Sequence, residues 1–160
     1  MGGADRIAAI IEDLLSGVSI FEELTPEEMG IVARHMHLLD MGEGELVFEE
    51  GEPGSYVCFV SDGDLAVIKD AKSGQRARLA TLSRGDSIGE MAVVDRFPRS
   101  ATVVAETDAT LVTLDRDDFV QILSAYPQIG IKMLKGVARL LSMNLRRTSN
   151  QLVDYMLPLV

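Results

Sequence analysis

Residues 85–101 read Gly85-Asp86-Ser87-Ile88-Gly89-Glu90-Met91-Ala92-Val93-Val94-Asp95-Arg96-Phe97-Pro98-Arg99-Ser100-Ala101. This segment interrupts a strand-and-turn pattern with a short helix-compatible stretch after Gly89. Free N–H groups at a helical start attract a phosphate, and Gly89 permits close approach of the backbone. Arg99 can bind an anion through its planar guanidinium, and Glu90 can accept a hydrogen bond from a sugar hydroxyl. The segment predicts a small-anion site, the alternative being a surface ion pair between Glu90 and Arg99.

Short apolar runs lie on both sides of this segment, over residues 38–114, and are separated by glycine-bearing turns. The runs cover residues 46–49, 56–61, 65–69, 78–82, 101–105 and 110–114. Their short, fairly regular spacing indicates an antiparallel sandwich or roll. Asp62-Gly63 and Ser73-Gly74 are typical of hairpin turns that need a positive φ.

Helical patterns precede the strands. Apolar residues recur at helical spacing over residues 5–15, and Gly17 follows as a stop. A second helix is expected to begin after Thr25, because Pro26 suits the first helical position and Glu28 completes a capping box. We expect this helix to end near His35.

Two further helices are predicted after the strands. Asp115 is placed to cap the first of them, with Asp117 and Asp118 in its first turn, and Pro127 ends or kinks it. The second carries a heptad seam of Ile131, Leu134, Ala138, Leu141, Leu145, Thr148, Leu152 and Tyr155. A second face of this helix consists of Met133, Val137, Leu140 and Asn144. We expect this second face to cover the roll and the seam to meet the same helix of a second copy in a homodimer.

Composition bounds the class of protein. The chain has 160 residues, of which 47% are hydrophobic and 25% charged, and a net charge of −10. No apolar run approaches the roughly 18 residues of a transmembrane helix, and residues 1–6 lack the pattern of a signal peptide. A cytoplasmic domain without membrane contact is expected. The single cysteine, Cys58, lies in an apolar run and is predicted to be a buried hydrophobic residue.

The charges are unevenly distributed along the chain. Residues 1–64 carry 15 acidic and 2 basic side chains, whereas residues 65–160 carry 10 acidic and 13 basic ones. An anion site is therefore expected in the second part. The acidic balance of the whole argues against sequence-independent binding of nucleic acid, which requires several lysine and arginine contacts to phosphates.

Catalytic constellations are hard to assemble from this sequence. The two histidines, His35 and His37, are near neighbours, and Cys58 is expected to be buried, so neither a Ser-His-Asp nor a Cys-His arrangement is available. We expect a binding protein rather than an enzyme. The His35-His37 pair leaves open a metal site on a strand-rich roll, although such sites usually require a third imidazole and a carboxylate. We therefore predict no metal and no cofactor.

The segment 85–101 resembles the ligand-binding segment of the cyclic nucleotide-binding domain family. In that family the pattern is Gly-Glu, a small apolar helix, and Pro-Arg followed by Ser, Thr or Ala and another Ala. Gly89-Glu90-Met91-Ala92 and Pro98-Arg99-Ser100-Ala101 match it at the family spacing. The resemblance extends over roughly residues 20–155, with Val93 where the family often has leucine. We call residues 85–101 the phosphate cassette.

The resemblance implies a role for each matched residue. Arg99 would bind the cyclic phosphate, with Ser100 and the backbone of Met91, Ala92 and Ala101 lining the same pocket. Glu90 would accept the ribose 2′-hydroxyl, and Gly89 would lie beside it. Val67 and Leu79 would pack on the purine. Asn144 falls where a family member places a hydroxyl residue of its long helix against the adenine edge.

Together, the pattern and the resemblance predict a mainly β fold. It is an eight-stranded antiparallel β-roll, jelly-roll-like, with N-terminal helices and a long C-terminal helix. We expect a single domain over residues 1–160, with N-terminal helices in 1–37, the roll in 38–115 and C-terminal helices in 116–157.

The expected function is binding of a cyclic purine nucleotide, cAMP rather than cGMP. Its phosphate would order the cassette and draw the long helix over the base. No direct DNA binding is expected, and the effector is left open. The main alternative is an interaction or dimerisation module with the family fold, whose pocket is empty or holds a different ligand. A metal-dependent enzyme built on the roll is a second, more remote alternative.

Overall fold

The computed structural model describes residues 2–14 and 18–157, and within these ranges eight strands form two four-stranded sheets. One sheet has the order β1-β8-β3-β6 and the other β2-β7-β4-β5, and every pairing is antiparallel. The strands are β1 (Met36–Met41), β2 (Leu46–Phe48), β3 (Tyr56–Asp62), β4 (Leu65–Asp70), β5 (Arg76–Leu82), β6 (Ser87–Ile88), β7 (Thr102–Ala105) and β8 (Ala109–Asp115). The predicted eight-stranded antiparallel β-roll is confirmed.

Both predicted hairpin turns are present. Gly63 joins β3 to β4 with φ +83°, and Gly74 lies between β4 and β5 with φ +84°. At Gly63 a Cβ atom would also collide with the backbone of Asp108 and Ala109. Glycine is therefore required there both by the left-handed backbone and by the close approach of a neighbouring turn.

Two helices precede the roll. Helix α1 spans Gly3–Leu14, and the expected residues Leu15 and Gly17 at its end lie outside the described residues. Helix α2 spans Pro26–Ala33 and carries the predicted capping box: the Glu28 amide donates to Thr25 Oγ1 at 3.2 Å, and the Thr25 amide donates to Glu28 Oε1 at 3.0 Å. It ends two residues before the expected His35, because the chain enters β1 at Met36.

Two helices follow the roll. Helix α3 spans Arg116–Ala125, with Asp115 as its N-cap residue, although the Asp115 side chain makes no capping hydrogen bond. Helix α4 spans Pro127–Met156 and is the predicted long helix. Among the described residues, none of the helices combines the length and the apolar character that crossing a bilayer demands.

The buried side chains form two clusters. One lies between the helices and the β1-β8-β3 side of the roll and includes Phe21, Phe59 and Phe119. Met133 and Val137 of α4 belong to it, and α4 packs mainly against the 3₁₀ turn Ser19–Phe21 and against helix α3. The other cluster lies between the two sheets and contains Cys58, which is fully buried. Burial raises the pKa of the Cys58 thiol to about 12, so this cysteine is a hydrophobic core residue and not a nucleophile.

Candidate functional site

A cavity of about 630 Å³ lies between the phosphate cassette, strands β4 and β5, and helix α4. Its size is that of a small-molecule pocket. Nine of the ten residues predicted for the site line it: Val67, Gly89, Glu90, Met91, Ala92, Arg99, Ser100, Ala101 and Asn144. Residues far apart in the sequence therefore meet around one space.

The cassette contains a short 3₁₀ turn, Glu90–Val93, which begins after Gly89. Gly89 has φ +81°, and a Cβ atom on it would collide with Arg99 Nη1 and lie 3.2 Å from the Tyr56 carbonyl oxygen. Glycine is thus required both for the left-handed backbone and for the close approach of the arginine. The Ala92 amide donates to the Gly89 carbonyl at 2.9 Å, which closes the turn.

Arg99 is a buried cation, with 7% of its surface exposed. Its Cζ lies 4.0 Å from the centroid of the Phe48 ring and 4.7 Å from that of Tyr56, and Nη2 donates to the Tyr56 carbonyl at 2.7 Å. Among the described residues no carboxylate forms an ion pair with it, and its buried Nε has no hydrogen-bond partner. A buried charge without a counter-ion is costly, so this guanidinium is suited to bind an anion.

Electrostatics around Arg99 favour an anionic ligand. Burial lowers the pKa of its guanidinium, and the positive charge of Arg116 adds to this, whereas Cys58, Tyr56 and Glu52 act in the opposite direction. Both lowering effects would be relieved by a negative charge in the cavity. The alternative of a surface ion pair between Glu90 and Arg99 does not occur in the structure, because Glu90 accepts a hydrogen bond from Asn144 instead.

Glu90 lies at the α4 side of the cavity. Its Oε1 accepts a hydrogen bond from Asn144 Nδ2 at 3.3 Å, whereas Oε2 is buried and has no partner among the described residues. Burial raises the pKa of this carboxyl, and hydrogen bonds from its own backbone and from Asn144 partly oppose that rise. The unpartnered Oε2 is an acceptor for a hydroxyl donor in the cavity.

The wall opposite the cassette differs from the prediction at one residue. Val67 lines the cavity, but Leu79 does not and is 57% exposed. The register explains why: Val67 pairs with Ala80 and Ile68 with Arg78, so Leu79 falls in a β-bulge. Ala80 and Leu82 of the same strand line the cavity in its place.

Other lining and supporting residues were not predicted. Phe48 and Tyr56, which pack on Arg99, come from two different strands, so no local motif marks them. From α4, Leu140, Met143 and Arg147 line the cavity beside Asn144. Leu140 and Asn144 belong to the second face of α4 named in the sequence analysis, whereas Met143 and Arg147 do not, and the sequence offered no signal for them.

The two histidines do not share a site. The His35 ring hydrogen-bonds to the Ile31 carbonyl through Nδ1 at 3.0 Å, whereas His37 Nε2 lies 3.1 Å from Asp118 Oδ2. His37, Asp118 and Asp115 hold their ligand atoms within 4.8 Å of one another on the surface at the start of α3. Carboxylates are favourable at a helix N-terminus without any metal.

Comparison with known proteins identifies the family of this fold and site. The family model described as "Cyclic nucleotide-binding domain" matches residues 39–126. A CRP-like cAMP-activated global transcriptional regulator of Mycobacterium tuberculosis is 28% identical over 144 residues, 90% of this chain and 62% of that protein. A cAMP-dependent protein kinase regulatory subunit of Mycosarcoma maydis is 35% identical over 131 residues, 79% of this chain and 24% of that protein.

A solved structure extends the comparison. The crystal structure of a cyclic nucleotide-binding domain from Methylobacillus flagellatus KT superposes with a TM-score of 0.86 at 28% identity, over 97% of this chain and 87% of the other. This chain spans less than two thirds of the length of the two curated relatives described above.

Proposed function

The chain belongs to the cyclic nucleotide-binding domain family, and we propose that it is a regulatory module that binds cAMP in the cavity between the phosphate cassette and α4. The observation that carries this proposal is Arg99, a buried guanidinium beside the cavity that forms no ion pair with a carboxylate among the described residues. A cyclic phosphate supplies one negative charge and acceptor oxygens for its free donors.

On the phosphate side, Arg99 would bind the phosphate oxygens and Ser100 would add a hydroxyl. The backbone of Gly89, Met91, Ala92 and Ala101 would line the same pocket. These residues surround one end of the cavity, and the left-handed Gly89 brings the cassette backbone against the guanidinium. In this arrangement the ligand neutralises a charge that burial otherwise disfavours.

On the sugar side, Glu90 would accept the ribose 2′-hydroxyl. Its Oε1 is held by Asn144, and its buried Oε2 is left without a donor. A hydroxyl from the ligand would complete the hydrogen bonding of this carboxylate. In the structure Asn144 therefore donates a hydrogen bond to Glu90. We propose that it also contacts the edge of the base.

On the base side, the wall is apolar. Val67, Ala80 and Leu82 line it from the sheet, and Leu140 and Met143 line it from α4. An apolar wall favours adenine, the less polar purine, over guanine. The names of two relatives, a cAMP-activated regulator and a cAMP-dependent kinase regulatory subunit, support the same choice.

The proposed mechanism is a population shift. Residues of α4 line the cavity, and Asn144 bonds to Glu90, so ligand in the cavity contacts the cassette and the helix together. A ligand that binds the ordered cassette better than the disordered one stabilises one position of α4. The position of this helix would then be the signal that an effector reads, and this role is binding rather than catalysis.

The test is calorimetric titration of the purified protein with cAMP and with cGMP. We expect saturable binding of both ligands with tighter binding of cAMP, and an increase in melting temperature with ligand concentration. Binding of cGMP equal to or tighter than that of cAMP would overturn the choice of base. Absence of binding by both would favour an interaction or dimerisation module whose pocket is empty or holds a different ligand.

A further inference from the structure

Arg116 makes an unusual set of hydrogen bonds just outside the cavity. Its Nε donates to the Ala92 carbonyl at 2.8 Å, and its Nη2 donates to the carbonyls of Gly54 at 2.5 Å and Asp95 at 2.7 Å. All three acceptors are backbone oxygens. Among the described residues no carboxylate forms an ion pair with Arg116, so its guanidinium serves to connect main-chain segments.

Two of these acceptors belong to the phosphate cassette. Ala92 lies in the Glu90–Val93 turn, and Asp95 follows the C-cap residue of that turn, Val94. The amides of Val94 and Asp95 donate to the Met91 carbonyl at 3.0 and 2.9 Å. Arg116 therefore bonds to the end of the same turn whose beginning, Gly89, lies against Arg99.

The third acceptor, Gly54, belongs to the segment that supports Arg99 from the other side. The Arg99 amide donates to the Glu52 carbonyl at 2.7 Å, and the Gly51 amide donates to the Arg99 carbonyl at 2.8 Å. A Cβ atom on Gly54 would lie 3.3 Å from Ala92 Cβ and 3.4 Å from Arg99 Nε. The segment 51–54, the cassette turn and Arg99 are thus in close contact, and Arg116 bonds to both main-chain segments.

Arg116 is also the first residue of α3. Its own amide donates to the Ser55 carbonyl at 2.8 Å, and α3 is anchored in the core by Phe119 and Ile122. One side chain therefore links α3 to two sides of the phosphate pocket. A lysine could not replace it, since a single ammonium group lacks the planar fork that reaches three carbonyls.

We propose that Arg116 is a positioning residue of the phosphate site, which holds the cassette turn and the segment 51–54 at the spacing that Arg99 needs. It acts through the backbone of Ala92, Asp95 and Gly54 and does not touch the ligand. This inference rests on the proposed function for its effect on ligand affinity, but its effect on the cassette backbone can be measured without ligand.

The experiment compares Arg116→Lys and Arg116→Ala with two controls. Arg34→Ala removes another arginine that donates to a backbone carbonyl, that of Gly30, away from the cavity. Ile122→Val removes one buried methylene-sized group from α3 and lowers stability without touching these hydrogen bonds. Circular dichroism confirms folding of each variant, and Arg116→Lys carries the test if Arg116→Ala does not fold.

Two readouts are measured well below the melting temperature of each variant. The first is amide hydrogen exchange at Ala92, Val94 and Asp95 without ligand, which we expect to become about tenfold faster or more in the Arg116 variants. The second is the Kd for cAMP, which we expect to rise by about tenfold or more. Both controls are expected to match the parent in both readouts.

Unchanged exchange and unchanged cAMP affinity in the Arg116 variants would overturn the proposal. Equal losses in Ile122→Val would also overturn it, because they would show that the effect follows stability and not the specific bonds. If the parent itself does not bind cAMP, the proposed function fails, and the exchange rates without ligand still decide the role of Arg116.

Discussion

At the scale of single residues, the site depends on polar groups that the protein itself leaves unsatisfied. Arg99 Nε and Glu90 Oε2 are both buried and have no hydrogen-bond partner among the described residues. Buried polar atoms are nearly always hydrogen-bonded in folded proteins. Their occurrence at two points of one cavity indicates that a ligand supplies the missing partners.

Arg99 provides the sharpest residue-level prediction. We expect Arg99→Ala to weaken cAMP binding by roughly one to two orders of magnitude, because a hydrogen bond to a charged group is worth about 1.5–3 kcal/mol. Arg96→Ala is the matched control, since Arg96 is an exposed arginine of the same cassette that does not line the cavity. Isothermal titration of both variants measures the difference, and equal losses would contradict the assignment of Arg99 to the phosphate.

Glu90 is tested through the ligand rather than through the protein. A 2′-deoxy analogue of cAMP lacks the hydroxyl that we assign to Glu90 Oε2, so a buried carboxylate oxygen would stay without a donor. We expect the analogue to bind the parent protein about tenfold more weakly or worse in competition with cAMP. Comparable affinities of the two ligands would show that Glu90 does not read the sugar.

At the scale of elements, local signals were predictable and non-local ones were not. The capping box of α2 and the glycine turns depend on residues a few positions apart, so the sequence alone identifies them. The short strand β6 pairs with β3 through only two residue pairs and carries no pattern of its own. Leu79 is the clearest failure, because a β-bulge changes which side chains face the cavity and no composition signal reveals it.

Helices α2 and α4 are connected by a salt bridge that makes stability depend on pH. Lys132 Nζ lies 2.7 Å from Glu28 Oε1, the atom that also accepts the Thr25 amide. The hydrogen bond from Lys132, followed by that from the Thr25 backbone, lowers the pKa of Glu28. A lowered carboxyl pKa contributes stability above the unfolded-state pKa, and this stability is lost as the pH falls through the folded-state pKa.

We therefore expect Glu28→Gln to lower the free energy of unfolding at neutral pH by about 1 kcal/mol or less, as is usual for a partly exposed pair. Below the lowered pKa of Glu28 the parent has lost this contribution, so the two proteins should become equally stable. Urea unfolding across the acidic range measures the difference. Glu27→Gln, a change at the exposed neighbouring position, is the control, and a difference that persists at the lowest pH would rule out the electrostatic origin.

At the scale of the whole molecule, acidic residues of the N-terminal part form ion pairs with two basic residues of the C-terminal helix, Lys132 and Arg139. Arg139 of α4 lies 3.0 Å from Glu23 and 3.6 Å from Glu22, and Lys132 pairs with Glu28. Acidic residues of the first part of the chain thus pair with basic residues of its second part.

The residues of the α4 seam differ in exposure, and Ile131, the first of them, is 51% exposed. Leu134 and Leu141 are half-buried and pack against the core. Further along the helix, Leu145 is 69% exposed, Leu152 56% and Tyr155 77%. A run of apolar side chains that has no partner within the described residues fits an interface, and we propose that it pairs with the same helix of a second copy in a parallel homodimer.

The dimer is tested at the exposed positions of the seam, because Leu141 packs on the core and its replacement would affect folding as well. We expect Leu145→Glu with Leu152→Glu to yield a folded monomer in sedimentation, since buried glutamates without partners would be costly at the interface. Val120→Glu, on an exposed face of α3, is the matched control and should sediment like the parent. A stable dimer should persist at a protein concentration of roughly tens of micromolar. If the parent protein sediments as a monomer at that concentration, the distal seam of α4 meets no second copy.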